Sequence, residues 1–154
     1  MSSVEKKLGE LGIELPAATG PIANYVSVQR VGELLFFSGA GPLKEGKATM
    51  AGMVGRELTV EQGYAAAREG AINLIAALKK SVGDLDNVVQ IVKVLGFVRC
   101  TDDFERQPAV LNGASDLFVE VFGERGRHAR SAVGTNALPM GIPVELEMIV
   151  QVKQ

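Results

Sequence analysis

The sequence predicts an α+β fold: a single mixed β-sheet covered on one face by two long helices. Three observations carry this. Tyr64, Ala67, Ala71, Leu74, Ile75 and Leu78 repeat at three- and four-residue intervals, as do Val110, Leu111, Ala114, Leu117, Phe118, Val121 and Phe122. Val88 to Cys100 is rich in β-branched residues. The segment 143–152 alternates, with Val144, Leu146, Met148, Val150 and Val152 facing one way and Glu145, Glu147, Ile149 and Gln151 the other.

In chain order, residues 1–20 form an N-terminal helical extension, with Val4, Leu8 and Leu11 on one stripe until Gly12 and Pro16 break it. Tyr25–Arg30 and Glu33–Ser38 make a hairpin joined by Val31-Gly32. Residues 40–57 are glycine-rich and read as a long irregular loop. Thr59 followed by Gln62 is a capping-box start for the first long helix, which ends before Gly83. Val88–Cys100 is a long strand in which Gly96 marks a bulge. Asp102 or Asp103 caps the second helix, Pro108 suits its first turn, and Gly123 stops it. Ser131–Thr135 and Pro143–Val152 are the last strands. The order is ββ–α–β–α–ββ, one domain over 1–154. Its second sheet face has no cover within the chain and wants a symmetric partner.

Composition narrows the function. A net charge of −2 and no basic stripe disfavour nucleic acid as a partner. One cysteine, Cys100, excludes an internal disulfide and fits a cytoplasmic location. One histidine, His128, removes multi-histidine metal sites and most nucleophile–histidine dyads, and no metal is expected. No run approaches the roughly 18 apolar residues of a membrane span.

The densest chemistry lies in 128–147. Arg130 heads one strand and is expected near Glu145 and Glu147 on the polar face of a neighbouring strand. A guanidinium fork binds a carboxylate in bidentate fashion, and an adjacent carboxylate orients or deprotonates water. The same spacing fits a plain structural ion pair. His128 shares a side with Arg130 and reads first as a hydrogen-bonded structural residue, with anion binding as the alternative. Cys100 reads as a packing residue and Asp102-Asp103 as a helix cap rather than a calcium loop. Gly39-Ala40-Gly41-Pro42 lacks the Lys-Ser/Thr of a phosphate loop. Arg125 and Arg127 read as a solvated turn, Phe36 and Phe37 as core and interface.

The segment His128-Ala129-Arg130-Ser131 through Leu138-Pro139 to Val144-Glu145-Leu146-Glu147 resembles the C-terminal signature of the Rid/YjgF family. Gly20-Pro21, Phe37-Ser38-Gly39, Val98 to Phe104 and Asn112 resemble further family positions in matching order, over roughly residues 20–152. The long loop and leading helix are similar to a longer-chain branch formerly labelled endoribonuclease. This resemblance implies a chorismate-mutase-like (YjgF-like) subunit and a homotrimer with clefts between subunits. It also implies cofactor-free hydrolysis of enamine/imine intermediates of the 2-aminoacrylate type to 2-keto acids and ammonia.

Residue by residue, the resemblance assigns Arg130 to the substrate carboxylate and Glu145 to the attacking water. Ser38 would line the pocket, with Gly39 and Asn112 as supports. Two positions depart from the family pattern. Ile22 stands where the family carries a tyrosine, leaving Tyr25 as the nearest hydroxyl, and Ala132 replaces a frequent cysteine. A competing reading is therefore a trimeric small-carboxylate binding or sensor protein, with RNA cleavage a third.

Overall fold

The structure is a computed structural model and describes residues 2–154. Helix α1 spans Ser3–Glu10, shorter than the expected extension. Ser2 accepts from the Glu5 amide, and Asp86 accepts from the Ser3 amide and hydroxyl, both at 2.8 Å, and from the Val4 amide at 3.1 Å. These acceptors satisfy the free N–H groups of the first turn, and the bonds from Ser3 and Val4 hold the Asp86 carboxyl below its usual range. Val4 and Leu8 are buried, and beyond the helix Ile13 and Leu15 continue against the core without helical structure.

Strands β1 (Val28–Val31) and β2 (Leu34–Phe37) form the expected hairpin, shorter at its outer ends. Val31 pairs with Leu34, so the turn is Gly32-Glu33, one residue later than expected. Gly32 takes φ +59°, which a two-residue turn demands at its first position. The 40–57 stretch is not irregular throughout. It carries a second hairpin, β3 (Leu43–Lys44) and β4 (Lys47–Ala48), turning through Glu45 and Gly46, both at positive φ. Glu45 offers none of the usual Asn-Gly signal for such a turn, which hid the hairpin. Asn73 ties the segment down by donating to the carbonyls of Gly41 (2.8 Å) and Leu43 (3.0 Å).

Helix α2 (Val60–Val82) starts at the expected capping box. Thr59 Oγ1 accepts from the Gln62 amide at 3.1 Å, and the Thr59 amide donates to Gln62 Oε1 at 2.8 Å. Strand β5 (Val88–Arg99) is long, but its register shifts fall at Val88/Gln90 and Ile91/Lys93, not at Gly96. Gly96 serves packing instead: a Cβ there would lie 1.8 Å from Leu111 Cδ1. Helix α3 (Gln107–Phe122) has Pro108 in its first turn as expected, yet neither Asp102 nor Asp103 caps it. The turn closed by the Phe104 amide on the Thr101 carbonyl separates them from the helix, which begins at Arg106 with no side-chain cap. Strand β6 (Ala129–Thr135) starts two residues earlier than expected, and β7 (Val144–Val152) follows.

The sheet order is β1-β2-β7-β5-β6, antiparallel except for the parallel pair β5–β6, so the sheet is mixed. Both long helices cover the same face. Leu146 and Gly96 are register partners; Gly70 of α2 lies over Leu146, and Leu111 of α3 lies over Gly96. The helices touch where Gly113 meets the Tyr64 carbonyl, with room for no side chain: a Cβ would sit 2.0 Å from that oxygen. Val144, Leu146, Met148, Val150 and Val152 are buried here, as the alternation predicts. The other face carries Phe36, Val31 and Val133, 40%, 62% and 42% exposed; Phe36 is in register with Ile149, and Val133 with Phe97 and Glu145. It has no cover in the chain. Among the described residues no helix is long and apolar enough to cross a membrane.

Candidate functional site

Two polar clusters stand out, and they do not meet. The first forms where β6 passes α3. Arg130 Nη1 donates to Asn112 Oδ1 at 2.8 Å and to Ser115 Oγ at 3.1 Å. Asn112 and Ser115 are three residues apart on α3 and so share a helix face. His128 donates from Nδ1 to the Gly126 carbonyl (2.7 Å), and its Nε2 lies 2.9 Å from Ser115 Oγ. Its ring stands edge-on to Phe118, centroids 5.7 Å apart. Burial, then the charge of Arg130, lower the imidazole pKa against the opposing hydrogen bond to Gly126, favouring the neutral ring. Ala132 continues along the same side of β6, opposite Gly96 and against the core.

The second cluster lies on the open face. A cleft of about 170 Å³ is lined by Tyr25, Gly39, Phe97, Glu145, Leu146 and Glu147. Glu145 is half-buried; desolvation first, and the charge of Glu147 second, push its carboxyl above the usual carboxylate range. Gly39 makes room for it, since a Cβ at Gly39 would lie 2.9 Å from Glu145 Cδ. Ser38 is not among the lining residues; its hydroxyl donates to the Val26 carbonyl at 2.7 Å and holds the segment that carries Tyr25. Ile22 is 99% exposed, whereas Tyr25 stands at the cleft.

The expected closeness of Arg130 to Glu145 and Glu147 within one chain is overturned. Strand β5 lies between β6 and β7, which sets them about two strand spacings, ~10 Å, apart. Arg130 shares a register row with Val94 and Met148 on the helix side; Glu145 shares one with Phe97 on the open side. The two side chains therefore leave opposite faces of the sheet. Among the described residues no ion pair joins them within the chain.

Sequence reasoning missed Ser115 and Phe97. Ser115 was findable, because a residue three after Asn112 on a helix must share its face; Phe97 needed the register of β5 against β7. A second cavity, about 260 Å³, is lined by Cys100, Thr101, Asp102, Phe104, Gln107, Gly134, Thr135 and Asn136 and contains none of the expected site residues. Cys100 is buried there, accepting a long contact (3.7 Å) from Gln107 Nε2. Among the described residues no three His, Cys, Asp or Glu side chains cluster as metal ligands.

Comparison with known proteins agrees with this architecture. The chain is 45% identical to protein TCP17 of Trypanosoma cruzi over 149 residues, covering 96% of this chain and 93% of that protein. The crystal structure of Atu1372 from Agrobacterium tumefaciens, a protein of unknown function, superposes with a TM-score of 0.91 at 42% identity, covering 97% and 92% of the two chains. A "putative endoribonuclease" from Shewanella oneidensis superposes with a TM-score of 0.94 at 34% identity, covering 98% and 100%. The family model described as "YjgF/chorismate_mutase-like, putative endoribonuclease" matches residues 5–150, and the chain belongs to that family.

Proposed function

We propose that the protein is a cofactor-free deaminase that hydrolyses small enamine/imine intermediates of the 2-aminoacrylate type, in their imine form, to 2-keto acids and ammonia, working as a cytoplasmic homotrimer. One observation carries the reading. A guanidinium already held by Asn112 and Ser115, and a half-buried carboxylate with raised proton affinity, lie on opposite faces of one chain. They make a site together only when one copy brings the Arg130 edge to the open face of the next. The exposed apolar side chains Phe36, Val31 and Val133 give that face a reason to associate.

In the assembled cleft the substrate carboxylate docks on Arg130. Glu145 accepts a proton from water as the water oxygen adds to the C=N carbon, giving a carbinolamine. Glu145 returns that proton to the nitrogen, then carries the hydroxyl proton to the same nitrogen as the C–N bond breaks, releasing ammonia and leaving the C=O bond of the keto acid. Burial keeps Glu145 basic enough to take the proton, and Tyr25 offers a hydroxyl at the same cleft. Positioning supplies the rest, because fixing the imine beside a held water replaces a random encounter. The net charge of −2 argues against RNA as the substrate.

The test generates 2-aminoacrylate in situ with a serine dehydratase and follows keto-acid and ammonia release. The wild-type protein should accelerate hydrolysis, and Arg130→Ala should abolish the acceleration while the oligomer survives. A folded wild-type protein that binds pyruvate but releases no ammonia would instead make it a carboxylate-binding protein.

A further inference from the structure

The direction of each hydrogen bond around Arg130 is fixed by chemistry, starting from a backbone oxygen. The Gly126 carbonyl can only accept, so His128 carries its proton on Nδ1. In the neutral ring Nε2 is then bare, and the Ser115 hydroxyl must donate to it across 2.9 Å. That leaves the lone pairs of Ser115 Oγ for Arg130 Nη1, at 3.1 Å. Asn112 Oδ1 takes the other Nη1 hydrogen at 2.8 Å. Both Nη1 hydrogens are thereby occupied, and the contacts made by Arg130 among the described residues leave Nε and Nη2 free. Of the faces a guanidinium can offer a carboxylate, only the edge formed by Nε–H and one Nη2–H remains whole.

We propose that Ser115 and His128 are positioning residues that lock Arg130 so that its Nε–Nη2 edge receives the substrate carboxylate side-on. The proposal rests on the reading of Arg130 as the carboxylate anchor and adds what aims it. It also changes the part given to Asn112. Its carbonyl oxygen is committed to Arg130, so Asn112 holds the arginine and does not itself take the carboxylate through that atom. A carboxylate presents two coplanar oxygens to that edge. An ammonium in place of Arg130 has the charge and no edge.

Two measurements test this with the full-length protein. The first needs no substrate. The chain has one histidine, so its imidazole nitrogens are unambiguous in ¹⁵N-detected NMR. At neutral pH Nδ1 should be protonated and Nε2 bare, and Ser115→Ala should perturb Nε2 selectively. A ring protonated on Nε2 instead would reverse the chain of donors and overturn the proposal.

The second measures pyruvate binding by calorimetry, and KM and kcat on dehydratase-generated 2-aminoacrylate. Ser115→Ala should raise the pyruvate Kd and the KM about tenfold, the scale of one hydrogen bond to a charged group, with kcat little changed. Ser115→Thr, which keeps the hydroxyl, should recover the loss; His128→Phe should share it; Arg130→Lys should bind as poorly as Arg130→Ala. If Arg130→Ala loses pyruvate while folded Ser115→Ala and His128→Phe bind like wild type, the relay is wrong and the anchor stands. If Arg130→Ala binds pyruvate like wild type, the anchor itself is wrong and the relay falls with it.

Discussion

The two faces of the sheet obey different rules. On the covered face every choice answers to packing: Gly70, Gly96 and Gly113 are small because Leu146, Leu111 and the Tyr64 carbonyl occupy the space beside them. On the open face large apolar side chains stay in solvent, and a glutamate is kept half-buried against its ionisation. The first pattern explains why the chain folds. The second makes little sense for a lone chain, since it exposes apolar surface and holds a carboxylate where its charge is costly. Stability is concentrated on one side and the proposed chemistry of Glu145 lies on the other, with Arg130 on the helix side.

Gly113→Ala should break the covered face hardest. Its Cβ would meet a helix backbone, which cannot swing aside as a side chain does, and a loss of about 3 kcal/mol in thermal or urea unfolding is expected. Gly96→Ala meets the buried side chain of Leu111 and no backbone, and should cost less, so equal losses would undo the distinction between backbone and side-chain obstruction. Phe36→Asp leaves the covered core untouched. It should dissociate the oligomer in light scattering and lower turnover, while the circular dichroism of the subunit is retained.

Glu147→Gln should have the smallest effect and sharpens the assignment of the base. In the proposed reaction the working form of Glu145 is ionised, so the rate should fall as pH drops through its pKa, which stands above the usual carboxylate range because of burial and then Glu147. Removing the Glu147 charge should carry that acid limb to lower pH, visible in a pH profile of kcat/KM. A limb that stays in place would assign the proton acceptor to another group.

Much of this architecture was legible in the chain. The strict alternation of Val144–Val152 and the two apolar stripes fix the sheet face and the helix faces, because a period of two or of 3.6 is imposed by backbone geometry alone. Thr59 and Gln62 mark a helix start because both partners of the capping box lie within one turn. The β3–β4 hairpin was hidden because Glu45 at positive φ is held by its surroundings, not by its own preference. The role of Gly96 was misread for a related reason: a bulge and a close approach both call for glycine, and only the position of Leu111 decides between them.

The site divides along the same line. Residue types point to Arg130 and Glu145 for the chemistry of a carboxylate and a water, and the family resemblance adds Gly39, Asn112 and Tyr25 to that set. The tertiary structure decided which of them are neighbours. Strand order is a long-range choice, and inserting β5 between β6 and β7 puts Arg130 with Asn112, Ser115 and His128 on one face and Glu145 with Gly39 and Tyr25 on the other. Local periodicity determines which side of its own strand a residue takes. The pairing of strands far apart in sequence determines what stands beside it, and that rests on the packing of the whole sheet against α2 and α3.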